Sequence, residues 1–166
     1  MNLGSNICEC GNHAFFELRG QRVALISPDD AHIVRRYKPH MLHARKAHKY
    51  VALSINGRKT LLHRLLTGAP SGKVVDHING DGLDNRRHNL RVCDPAQNLW
   101  NAKGRSKVTP KGVRKSGSKF SAKIMRCGVV HYLGVFSTAS EAAAAYNEAA
   151  LRLHGEYARL NIMAAE

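Results

Sequence analysis

The sequence predicts an α+β protein in which a small mixed N-terminal region leads into a strand–strand–helix unit, followed by a three-stranded antiparallel sheet packed on one helix. Three observations carry this. Val74 to Lys103 reads as strand, loop, strand and helix. Lys111 to Asn161 reads as three strands and a capped, Ala-rich helix. Of the 166 residues, 43% are hydrophobic, enough for a core and too many for a disordered basic tail. No run nears the ~18 apolar residues that a membrane span needs. The opening residues, MNLGSNICECGNH, lack the basic flank and apolar run of a secretory signal. Lys and Arg number 26 against 12 Asp and Glu, a formal net charge of +14. An intracellular protein with a polyanionic partner, most simply nucleic acid, is the expectation.

The elements follow in order. Gln21 to Ile26 reads as a short strand, and Ser27-Pro28-Asp29-Asp30 as a turn that starts a short helix through Tyr37. Lys49 to Ile55 alternates, breaks at Asn56-Gly57 and resumes as Lys59 to Leu62, the signature of a hairpin. Leu61 to Leu66 begins a helix that Gly68 and Pro70 end. Val74-Val75 is a β run entering Asp76-His77, a Gly- and Asn-rich loop spans 79–85, and Leu90 to Cys93 is a second apolar run. Asp94-Pro95-Ala96-Gln97 opens a helix, with Asp as N-cap and Pro at the first helical position; Trp100 is expected to pack that helix on the two strands. Lys103 to Lys111 reads as a linker. Gly112 to Arg114, Phe120 to Met125 and His131 to Phe136 are the last three strands. A capping box at Thr138 to Glu141 starts a helix to about His154, with Ala142, Tyr146, Ala149, Ala150 and Leu153 on one face. The resulting division is 1–60, 61–103, linker 104–111 and 112–161.

The charge is unevenly spread. Ala31 to Thr60 carries eight basic residues and no acidic one, and so does Gly104 to Arg126. Two basic flanks around a nearly neutral centre suggest two grips on a polyanion with chemistry between them. Cys8, Cys10, Cys93 and Cys127 read as reduced thiols: Cys8 and Cys10 are one residue apart, against the roughly two to four of a zinc knuckle.

The centre carries the chemistry. Cutting a phosphodiester needs a base to activate water and a cation to stabilise charge at the phosphate. His77 is the natural base near neutral pH, and Asp76 with the amide oxygen of Asn98 suits a hard cation. Neighbouring strand residues point to opposite faces, which separates these two roles, and Asn89 stands where it can hold the base. The spacing DH–x11–N–x8–N, at Asp76-His77, Asn89 and Asn98, resembles the HNH nuclease motif with its ββα-metal fold, above all in phage and intron-encoded homing endonucleases. That resemblance implies Asp76 and Asn98 as ligands of one Mg²⁺ or Mn²⁺ ion, His77 as general base and Asn89 as its orienting partner. It also implies double-stranded DNA as substrate, nicking by a monomer or weak dimer, and a mobile element acting in a bacterial cytoplasm, with no membrane or small-molecule partner. His63-Arg64-Leu65 matches the triplet that often precedes the motif, without a defined role.

The C-terminal segment resembles the ethylene-response-factor (Apetala-type) DNA-binding domain over about 50 residues, through GVR, F-x-A-x-I, Y-L-G-x-F, A-A-x-A-Y-N-x-A-A and the terminal L-N. Arg114, Lys123 and Tyr132 occupy DNA-contacting positions of that family, and Lys115, Lys119 and Arg126 add to a basic face on the strands. Met125 replaces a usual Arg and Tyr132 a usual Trp, so sequence preference does not carry over. The competing reading is a non-catalytic, sequence-specific DNA-binding regulator on a nuclease-derived scaffold.

Overall fold

The computed structural model describes residues 6–44, 48–106 and 108–163; Arg45, Lys46 and Lys107 of the two basic windows lie outside them. The chain forms two compact units, residues 1–94 and 95–166, and the α+β class is as expected. Among the described residues no helix is long and apolar enough to cross a membrane.

The first unit holds strands β1 (Asn6–Ile7), β2 (Ala14–Leu18), β3 (Arg22–Ile26), β4 (His40–Ala44), β5 (His48–Ile55), β6 (Arg58–Leu61), β7 (Val74–His77), β8 (Asp84–Asn85) and β9 (Leu90–Cys93), with helices α1 (Ala31–Arg36) and α2 (Leu62–Thr67). They make three sheets in the orders β1-β2-β3-β8, β4-β5-β6 and β7-β9. β5 turns into β6 through Asn56 (φ 49°) and Gly57 (φ 73°), the left-handed pair a tight hairpin demands. α2 stops at Gly68 in the left-handed conformation. Phe16, Ile26, Val51, Leu53, Leu62, Leu66, Val75 and Leu90 share one core, so the sheets and α2 fix the position of β7 together.

Four strands lie beyond the sequence expectations, the two-residue β1 among them. β2 buries Ala14, Phe16 and Leu18 at every second residue, but Phe15 between them is half-buried and blurs the alternation. β4 pairs with β5 along its whole length. β8 is two buried polar residues in parallel register with β3, through Leu25↔Asp84 and Ile26↔Asn85, and so draws the loop after β7 into the N-terminal sheet. A Cβ at Gly82 in this loop would run into the Lys49 carbonyl and the Tyr50 ring, so the close approach needs glycine.

A second tie is polar. Asp30, 3% exposed, accepts from Arg87 Nε at 2.8 Å and Nη2 at 2.7 Å, while Arg87 Nη1 donates to the Leu66 carbonyl at 3.1 Å. The fork spans 57 positions of sequence. Asp30→Ala is therefore expected to lower stability by about 1–2 kcal/mol, the low end for charged hydrogen bonds because the Arg87 side chain is 58% exposed. Urea midpoints of the two proteins measure it.

The second unit begins with α3 (Pro95–Asn101), followed by β10 (Val113–Ser116), β11 (Lys119–Arg126), β12 (Val129–Phe136) and α4 (Ala139–His154). The three strands form one antiparallel sheet with β11 central. The capping box is present: Glu141 N donates to Thr138 Oγ1 at 3.1 Å, and the Glu141 carboxylate takes the Thr138 N–H at 3.3 Å. Ala142, Ala143, Tyr146, Ala149 and Ala150 are buried against Val113, Ala122 and Ile124; their small side chains let α4 lie close on the sheet. Gly112 (φ 78°) lies where a Cβ would enter the Tyr146 ring. Asn161 accepts from Lys111 N at 2.7 Å and its own N–H donates to Asn147 at 2.7 Å, so the Y-N and terminal L-N motifs clasp the ends of the unit together. Trp100 departs from expectation: its ring stacks on His154 at 4.5 Å and 4°. A flat imidazole at the end of α4 offers an aromatic surface better matched to indole than aliphatic side chains are.

Candidate active site and nucleic-acid interface

β7 and β9 are antiparallel, with Asp76 opposite Arg91 and His77 opposite Leu90. Successive strand residues turn to opposite faces, and the two environments differ accordingly. Asp76, 5% exposed, accepts at Oδ2 from Arg91 Nε at 2.9 Å and Nη2 at 2.7 Å, a cross-strand pair that fixes its direction. His77, also 5% exposed, turns toward two other rings. His63 of α2 meets it edge-on at 5.1 Å between centroids and Tyr50 of β5 lies at 5.8 Å; Tyr50 and His63 are 5.3 Å apart. The three rings close a cluster whose members are far apart in the sequence.

Burial lowers the affinity of both imidazoles for a proton. His63 is pushed down to about 3 by desolvation, with the adjacent His77 and Arg64 adding to the effect. His77 is held below the ordinary imidazole value, again by desolvation first, while Asn85, Asp76, Asp81 and Asp84 oppose it. At neutral pH both are uncharged, so His77 is in the proton-accepting form. Desolvation also raises Tyr50, with Asp76 adding, so its hydroxyl stays protonated.

Asn89, 4% exposed, sits behind this cluster. Its Oδ1 accepts from Asn79 N at 3.0 Å, and its Nδ2 donates to Asn79 Oδ1 at 3.1 Å and to the Asp84 carbonyl at 2.8 Å. Its own carbonyl takes the N–H of Ile78 at 2.9 Å. It thus fastens the backbone that leaves His77; Asn85, which the sequence reads as loop, is fully buried and favours the protonated form of that ring. Asp84 is taken up by structure: burial would raise its carboxyl, but bonds from Arg86 at 2.8 and 2.7 Å and from Asn79 at 2.8 Å hold it below its usual value. Asp81 accepts from Leu83 N at 3.0 Å and shapes the turn.

Asn98 lies on α3, half-buried. Asn98 thus belongs to the second unit, and the donor that the first unit offers a metal is the Asp76 carboxylate, a hard oxygen. Cys93, the nearest thiol in sequence, is buried and its pKa raised by desolvation, so it remains protonated. A carboxylate beside a protonated thiol suits a hard divalent cation rather than a soft one.

In the second unit the candidate DNA-binding residues divide by strand parity. Arg114 pairs with Ser121 and Lys123 with Tyr132, on the face away from α4, and Lys119 shares it. Met125, Val130, Tyr132 and Val135 are between 53% and 66% exposed there, giving a face that is basic and apolar together. Lys115 and Arg126 fall on the other parity, exposed at strand ends, and Arg126 reaches electrostatically toward His154. A β-bulge between Ala122 and Lys123 shifts the register so that Lys123 meets Tyr132.

A strand ending in Asp-His, an Asn-rich loop, a second strand and a helix is the arrangement of a ββα nuclease unit. Residues 62–99, which include Asp76, His77, Asn89 and Asn98, match the family described as HNH endonuclease. Over 157 residues the chain is 33% identical to an uncharacterized HNH endonuclease of Acanthamoeba polyphaga mimivirus, spanning 89% of this chain and 80% of that relative. The chain belongs to the HNH endonuclease family, whose members generally use a divalent metal ion. No solved structure matches it.

Proposed function

We propose that the protein is a metal-dependent endonuclease of double-stranded DNA that hydrolyses one phosphodiester per encounter, in the manner of a mobile-element nicking enzyme. The observation that carries this is His77: an imidazole kept neutral and braced by other rings, next in sequence to a buried carboxylate, inside the matched residues. His77 takes a proton from the attacking water, which leaves hydroxide to displace the leaving oxygen at phosphorus. Asn89 holds the loop behind the base. Asp76 and Asn98 are the proposed ligands of one Mg²⁺ or Mn²⁺ ion, which when bound supplies charge stabilisation at the phosphate.

Residues 61–103 would cut, and 112–161, linked through 104–111, would anchor the DNA. The outward face of β10–β12 supports that role, since Arg114, Lys119 and Lys123 meet phosphate while Tyr132 and Met125 offer apolar contact to bases. Resemblance to ethylene-response-factor domains agrees with it. One HNH unit per chain suits a monomer or weak dimer that nicks.

Supercoiled plasmid incubated with the purified chain and Mg²⁺ or Mn²⁺ is expected to yield open-circular DNA, and EDTA to abolish the product. Plasmid left supercoiled under both metals, with binding intact in a mobility shift, favours the regulator instead.

A further inference from the structure

The N-terminal hairpin brings together three soft-metal ligands that lie away from the motif. β1 and β2 pair through Asn6↔Phe15 and Ile7↔Ala14. The loop between them is closed by Cys8 N donating to the His13 carbonyl at 2.9 Å, and turned by Gly11 N donating to the Cys8 carbonyl at 2.8 Å. That turn folds Cys10 back over its neighbours. The Cys10 sulfur lies 3.5 Å from His13 Nδ1, and the ligand atoms of Cys8, Cys10 and His13 are all within 4.8 Å of one another.

These separations can be compared with what a metal requires. Tetrahedral zinc with Zn–S near ~2.3 Å and Zn–N near ~2.05 Å places neighbouring S and N ligands about 3.6 Å apart, and two sulfurs about 3.8 Å apart. The Cys10–His13 distance already meets the first value. Cys8 and His13 are half-buried and Cys10 is exposed, so side-chain rotation is open to the group and an ion has a path in. Two thiolates and a neutral imidazole balance a divalent charge. Spacing in sequence argued against zinc because it considered only the two cysteines; the hairpin supplies the third ligand.

We propose that Cys8, Cys10 and His13 form a zinc site with three protein ligands and one open position, separate from the motif's cation. Its place in the fold gives it a structural role. β1 and β2 are the outer half of the sheet whose other edge is β8. A filled site would close the β1–β2 turn, at the outer edge of that sheet.

Elemental analysis of the full chain, purified under reducing conditions without a metal-affinity tag, is expected to find one zinc per chain. Cobalt added to the metal-free protein is expected to give an intense sulfur-to-cobalt charge-transfer band. The paired change Cys8→Ser with Cys10→Ser should weaken zinc binding by about 100-fold or more and remove the band. His13→Ala should weaken it and His13→Cys restore it, while Asp76→Asn keeps full zinc content. Circular dichroism checks folding of each variant. A wild-type chain with neither zinc nor the cobalt band overturns the proposal. So does zinc that persists without both cysteines, zinc that leaves with Asp76, or a Cys8–Cys10 disulfide in the freshly purified protein.

Discussion

His77→Ala is expected to slow plasmid nicking by about 10²–10⁴-fold, the range a general base contributes, while a DNA mobility shift changes little. Asp76→Asn should produce a loss at least as large, because it removes the negative charge from the proposed cation site yet keeps the shape that Arg91 grips. Both substitutions fall in the first unit, and the outward basic face formed by Arg114, Lys119 and Lys123, the proposed DNA anchor, belongs to the second, so affinity is expected to survive loss of chemistry. The pH profile gives an independent reading. Desolvation holds His77 below the ordinary imidazole value, so it is more than half neutral where a free histidine would be half-charged, and wild-type nicking is expected to decline at a lower pH than a free imidazole base would give. Undiminished nicking by both purified variants would falsify the assignment.

The site is braced from residues that spacing alone does not connect. His63 precedes the motif and Tyr50 sits on β5, yet both rings pack on His77. The sequence exposed the chemistry of the motif because its members follow local rules: a β run into Asp76-His77, a second run at 90–93 and a helix opened by Pro95. The same locality made the C-terminal strands and the capping box readable, since hairpin alternation and caps are decided within a few residues. What was not readable depends on tertiary pairing. β8 is two polar residues that become a strand only by lying beside β3, and Asn85 differs from Asn79 in sequence by nothing that foretells complete burial. Likewise Cys8 and Cys10 lack the usual ligand spacing in sequence, and His13 joins them only through the β1–β2 turn. The split of the basic residues by strand face needed the register of β10–β12, including a bulge that no residue pattern announces.

The ring cluster also sets the acid stability of the first unit, and the sign follows from its two states. In the unfolded chain His63 binds a proton near its ordinary value of 6.5; in the folded chain it does so only at about 3. Above pH ~6.5 neither state is protonated there and His63 adds no pH dependence. Between those values the unfolded chain carries a proton that the folded chain refuses, so stability is lost as pH falls, by up to about 1.4 kcal/mol per pH unit. His77 acts in the same direction, since its folded value is also depressed. Replacing His63 with Phe keeps a ring against Tyr50 and His77 but removes one titration. In EDTA, urea midpoints between pH 7.5 and 4 should therefore fall less steeply for His63→Phe than for the wild type, with the two curves converging in slope above pH ~6.5. Far-ultraviolet dichroism is the appropriate probe, because Trp100, the chain's one tryptophan, lies in the second unit, stacked on His154. His154 is depressed as well, chiefly by desolvation, but it is common to both proteins and cancels in the comparison. Equal slopes below pH ~6.5 would mean that the His63 ring is protonated in the folded state, and a charged ring beside His77 would leave the proposed base without its neutral setting.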